Sequence, residues 1–113
     1  VTNNSDRKGS HVVRDAAGRL WGFDHGVSFH VEPKLRTVLW GWAGQPLTPA
    51  DLERLGRLDE ALADAGSRLH RDLLVALPRE DVGALTGRVR RLLATGVHPA
   101  PTPGWPSIPW PAL

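Results

Sequence analysis

The chain has 113 residues, 41% of them hydrophobic, and 14 Lys and Arg against 12 Asp and Glu give a net charge of +2. That length suits one small domain with a modest core or a piece of a larger one, and the apolar share excludes wholesale disorder. The absence of cysteine excludes disulfides, thiolate zinc sites and thiol catalysis together, and a cytoplasmic location is expected. No apolar run reaches the length of a membrane-spanning helix, and residues 1–8 lack the apolar segment of a signal peptide. The basic side chains are twelve Arg and only two Lys. The sequence pI of about 9.9 therefore reflects arginine ionisation more than a basic face, and nucleic acid is not an expected partner.

Residues 1–11 read as loop, dominated by Asn, Ser, Asp and Gly. Residues 11–14 and 20–24 read as two short strands joined by Asp15-Ala16-Ala17-Gly18, whose glycine suits a left-handed turn position. At the open end of that hairpin Asp6, His11 and Asp24 are expected to converge. Residues 25–36 contain Gly26 and Pro33 and read as irregular chain, since a proline is excluded from a central ladder. Val38-Leu39-Trp40-Gly41-Trp42-Ala43 is strongly apolar, and its pattern suits a strand or an anchoring loop equally.

From Thr48 the period changes to that of a helix. Thr48 is placed as N-cap, Pro49 as first helical residue and Asp51 as the reciprocal partner of the cap. Leu52, Leu55, Leu58 and Leu62 then form one stripe that ends near Gly66. Ser67 caps a second predicted helix with Leu69, Leu73, Leu74 and Leu77. A third runs from Arg79 to Thr95 with Val82, Leu85, Val89, Leu92 and Leu93 inward, Gly96 as cap and Arg88, Arg90 and Arg91 in its last turns. His70 is placed on a helix surface. The tail from His98 carries Pro99, Pro101, Pro103, Pro106, Pro109 and Pro111, which exclude helix or sheet interior. With Trp105, Ile108 and Trp110 it is expected to lie as an extended strap on the helical body.

Two aspartates, one on a loop and one at a strand end, are what a magnesium–nucleotide site needs. Mg2+ takes oxygen ligands from one or two carboxylates together with phosphate, and a separate aspartate orients an acceptor hydroxyl. On this reading Asp6 is the loop acid, Arg7 and Lys8 are phosphate-facing or structural cations, and Asp24 is the metal ligand. The plainer alternative makes Asp6 a turn cap and Asp24 the start of a tight turn with Gly26. His11, His25 and His30 raise zinc, but their spacings match no closed zinc motif. No glycine-rich phosphate loop of either common type is present, and Ser10 and Ser28 lack the context of an esterase nucleophile.

Asn3-Asn4-Ser5-Asp6-Arg7, then Asp24-His25-Gly26, then Val38-Leu39-Trp40-Gly41-Trp42 resemble the C-terminal lobe of the phosphatidylinositol 3- and 4-kinase-like family, and in particular its small bacterial kinase-like members. The resemblance covers about a third of the chain. It implies that Asp6 and Arg7 are the catalytic pair, that Asp24 binds the metal, and that Lys8, His11 and Asp24 border the bound nucleotide. His11 stands where the family carries a metal-binding Asn, so His11 and Asp24 are the expected metal ligands, and imidazole suits hard Mg2+ less well than an amide oxygen does.

The expected fold is therefore α+β and mainly helical: a protein-kinase-like C-lobe with a short hairpin, three helices and a Pro-rich extended tail. Residues 1–47 would hold the site, 48–96 the helices and 97–113 the tail. The implied function is ATP-dependent phosphotransfer to an alcohol with Mg2+ or Mn2+ as cofactor, the acceptor being unspecified. The kinase N-lobe is not in this sequence, so the chain reads as a fragment, inactive alone, that pairs with the missing lobe or with itself. Two alternatives stand beside this: a degenerate kinase-fold binding or regulatory module, and a small helical interaction domain using Trp105 and Trp110.

Overall fold

Regular structure in the computed structural model, which describes residues 1–113, is a short antiparallel hairpin followed by three helices. The fold is thus mixed α+β with helix as its main regular element. The chain divides into two units: Trp42–Ala100 together with Val1, and Thr2–Gly41 together with Pro101–Leu113.

In the first unit the helices begin and end where the capping chemistry places them. Helix α1 (Pro49–Ala63) is capped by Thr48, whose hydroxyl accepts the Asp51 N–H at 3.1 Å and donates to the Asp51 carboxylate at 2.7 Å. The Thr48 hydroxyl, and after it the Arg54 guanidinium, hold the Asp51 carboxyl below its ordinary range. Helix α2 (Arg68–Ala76) is capped by the Ser67 side chain. Helix α3 (Arg79–Thr95) starts after Pro78 with Glu80 and Asp81 in its first turn, and ends at Gly96 with φ 66°, the left-handed position that glycine adopts without a Cβ penalty.

The apolar stripes meet as their spacing predicts. Leu55 and Leu62 of α1 and Val82, Leu85 and Val89 of α3 are the buried apolar side chains of this unit. Each removes enough surface from water to contribute on the order of 1.5–3 kcal/mol. Leu73, Leu74 and Leu77 are half-buried, whereas Leu69 stays 39% exposed. Two expectations need correction. His70 is half-buried and its Nδ1 lies 2.7 Å from the Leu62 carbonyl, because the turn at Ser67 folds α2 back toward the end of α1. The dipole role expected of the arginines needs trimming: Arg88, Arg90 and Arg91 lie in the last two turns of α3 as expected, but the final turn itself holds no basic residue, and Arg90 pairs with Asp59 of α1 at 2.8 Å. No helix is long and apolar enough to cross a membrane.

The second unit has one hairpin, β1 (Val12–Arg14) with β2 (Leu20–Gly22), in the register Val12 to Gly22, Val13 to Trp21 and Arg14 to Leu20. Asp15 organises its tip. Its carboxylate accepts from the Ala17 and Arg19 N–H groups, the Arg19 guanidinium and the Trp21 indole at 2.9–3.0 Å. The Trp21 bond, and after it the Arg19 backbone bond, hold the Asp15 carboxyl below its ordinary value. Val13, Leu20, Trp21 and Phe23 are all exposed.

The apolar run at Val38 forms neither a strand nor a buried anchor: Trp40–Trp42 is a 3-10 turn, and Trp42 is 54% exposed. Residues 101–113 run in turns and bends, and hydrogen bonds join residues 105–113 to the loop of the same unit. Trp105 Nε1 donates to the Lys34 carbonyl at 3.0 Å and Trp40 Nε1 to the Ser107 carbonyl at 2.8 Å, and Pro109 is fully buried.

Candidate functional site

The loop of residues 3–11 is built on buried polar side chains. Asn3, with φ 57°, donates through Nδ2 to the His30 and Glu32 carbonyls at 2.9 and 2.6 Å and accepts the Lys34 N–H at 3.0 Å. Asn4 accepts the Asp6 N–H at 2.8 Å and donates to Ser28 Oγ at 3.1 Å. Both are about 5% exposed. Asparagine fits because it carries donors and an acceptor on a short stem and tolerates the left-handed region. Neither was singled out as a site residue from sequence, although two adjacent Asn before an Asp-Arg pair are a legible sign of a loop tied by its side chains.

Arg7 locks this loop to the strand end. Its guanidinium donates to the Phe23 carbonyl at 2.6 Å and the His11 carbonyl at 3.3 Å, and meets His25 Nδ1 at 2.7 Å. Because arginine only donates, His25 Nδ1 must accept, which leaves the His25 Nε2 proton for the Gly22 carbonyl at 3.2 Å. The backbone before Asp24 and the His25 ring after it are therefore held, and Asp24 itself sits at φ 56°. A non-glycine residue in that region carries a strain of roughly 1–2 kcal/mol that its surroundings must impose.

The result is a close pair. Asp24 Oδ2 lies 3.4 Å from His11 Nε2, with the Asp24 side chain 57% and the His11 side chain 11% exposed. The His11 ring rests against Phe23, centroids 6.0 Å apart. His11 Nδ1 accepts the Lys8 backbone N–H at 3.5 Å. Asp6 is turned to cations instead: Oδ2 lies 3.7 Å from Lys8 Nζ and Oδ1 3.8 Å from an Arg36 nitrogen. The geometry thus brings His11 to Asp24, gives Asp6 the partners Lys8 and Arg36, and makes Arg7 a bridge through backbone carbonyls. His25 bonds to Arg7, and His30 Nδ1 accepts the Glu32 N–H at 3.0 Å.

The Asp24 carboxylate suits a hard divalent cation, and neighbouring ligands on an octahedral Mg2+ stand about 3 Å apart, near the His11 to Asp24 separation. The nitrogen chemistry fits less well. A metal-binding imidazole usually donates its far N–H to a carbonyl or carboxylate, whereas the far nitrogen of His11 accepts. No group of three or more His, Asp or Glu side chains is arranged to hold a metal ion. The donor set is a poor match for Mg2+ held by these side chains, and no chemical step is derived through one.

Fold and site together define a small α+β chain whose polar loop and hairpin present one histidine–carboxylate pair. The chain is similar to Protein Rv2133c of Mycobacterium tuberculosis (strain ATCC 25618 / H37Rv), with 44% identity over 113 residues, 100% of this chain and 39% of that protein. It therefore spans about two fifths of the length of that relative, whose name states no activity. No family model matches the chain, and no solved structure matches it at a significant level.

Proposed function

We propose that this chain is a kinase-fold binding or regulatory module, related to the C-terminal lobe of the phosphatidylinositol 3- and 4-kinase-like family, which does not turn over ATP by itself. The observation that carries the reading is the His11 to Asp24 pair at 3.4 Å, which sets an imidazole beside the carboxylate expected to hold the metal. An amide at position 11 would offer an oxygen to Mg2+, whereas an imidazole nitrogen is a poorer ligand for that hard cation. The exposed apolar side chains of the hairpin, Val13, Leu20, Trp21 and Phe23, support association with a further protein body, the missing lobe in the kinase-like reading.

Titration of the chain with Mg2+ and with Mg-ATP, followed by the Asp24 carboxylate signal in NMR and by calorimetry, tests this. The expected result is no saturable Mg2+ binding and the same response from wild type and the Asp24→Ala variant. Saturable Mg2+ or Mg-ATP binding lost in Asp24→Ala would overturn it.

A second reading, phosphotransfer in a longer protein, is favoured by the placement of Asp6. It lies five residues before His11, the spacing at which kinase catalytic loops carry their acceptor-orienting Asp and metal-binding Asn, and Lys8 stands beside it at 3.7 Å. On that reading Asp6 orients an alcohol and Asp24 holds the divalent ion of ATP. A His11→Asn substitution in the longer protein separates the two: Mg2+-dependent turnover already present in wild type favours phosphotransfer, whereas turnover that appears only in His11→Asn favours the module without catalysis.

A further inference from the structure

The C-terminal tail grips the loop that carries Asp6 and His11 at two points. The first is direct. The Ala112 carbonyl accepts the Gly9 N–H at 2.9 Å. Gly9 opens the 3-10 turn Gly9–His11. The second grip runs through an intermediate strand-like residue. The Ser107 carbonyl accepts the Thr37 N–H at 3.0 Å, and Thr37 forms a parallel bridge with Arg7. That bridge consists of the Arg7 N–H to the Arg36 carbonyl at 3.0 Å and the Val38 N–H to the Arg7 carbonyl at 3.2 Å.

The tail is suited to this work. Its prolines leave the unfolded chain few conformations to lose, so ordering it is inexpensive in entropy. Fully buried Pro109 and the Trp105 indole bond to Lys34 fix it between the two grips. His11 sits two residues beyond Gly9 in the same turn, so a displacement of Gly9 is transmitted to the imidazole that faces Asp24.

We infer that residues 105–113 are a strap that positions His11, and through it the His11–Asp24 pair. The inference stands on the loop geometry and holds for a binding module and for a phosphotransferase alike. Its readout needs neither metal nor nucleotide, so it succeeds or fails apart from the function proposed above.

The test uses the full 113-residue chain as wild type, Trp105→Ala and Pro109→Gly, substitutions in the strap that leave the Gly9–His11 turn itself unchanged. Backbone amide exchange at His11 and the 15N shifts of its ring are read by NMR. Both variants are expected to speed His11 amide exchange by about tenfold or more and to shift the ring nitrogens, while amides of α1 and α3 keep their protection. Wild-type His11 exchange and ring shifts in both variants would overturn the inference.

Discussion

Between Trp42 and Ala100 the buried side chains are leucines and valines: Leu55, Leu62, Val82, Leu85 and Val89. Between Thr2 and Gly41 they are Asn3, Asn4, His11 and Thr37. The helical unit gains its stability from surface withdrawn from water, which is non-directional and tolerates small rearrangements. The loop-and-hairpin unit is held by hydrogen bonds between distant residues, which are directional and costly to leave unmade. Directional bonds also tie the two carbonyls before Asp24, where φ is 56°: Arg7 holds that of Phe23 and His25 that of Gly22. A polar interior fixes a strained aspartate that an apolar one would release.

The contrast is sharpest under substitution. Leu62→Ala, at a residue 3% exposed, should destabilise the helical unit by about 2–5 kcal/mol. Urea unfolding followed by helical circular dichroism reads this, with little change in amide exchange at the Asp15 tip. Asn3→Ala should act in the opposite place. It removes three hydrogen bonds and puts alanine at φ 57°, and a cost of roughly 1–3 kcal/mol is expected. Faster exchange of the Lys34 and Phe29 amides, with α1 and α3 protection intact, would confirm it. If Asn3→Ala melts the helices as well, the two interiors do not act separately.

Smaller effects mark the edges of each unit. Thr48→Ala removes the cap of α1 and should cost about 1 kcal/mol, visible as a lower urea midpoint. Acid should loosen the hairpin tip. The folded Asp15 carboxyl lies below its ordinary value of 3.8, so its contribution is whole above that pH and fades as pH falls through the lower folded value. Trp21 fluorescence should follow that loss, and Asp15→Asn should remove the acid dependence of this signal.

The helical unit was legible in the sequence because its causes are local. Thr48 with Asp51, Ser67, Gly96 and the leucine spacing each mark a boundary or a face within a few residues. The hairpin was legible for the same reason, through Asp15 and Gly18. The rest of the second unit was not, because its bonds join residues far apart in sequence: Asn3 to Glu32, Trp40 to Ser107, Trp105 to Lys34 and Gly9 to Ala112. No periodicity encodes such partners. The proximity of His11 and Asp24 followed from hairpin reasoning, whereas the cations beside Asp6 include Arg36, which only the folded chain brings there.

The most direct test of the proposal that this polar unit binds without turnover is an ATP hydrolysis assay on the 113-residue chain with Mg2+, run beside Asp24→Ala. The expected result is no magnesium-dependent release of phosphate from either protein. Magnesium-dependent turnover by the wild-type chain that disappears in Asp24→Ala would contradict it.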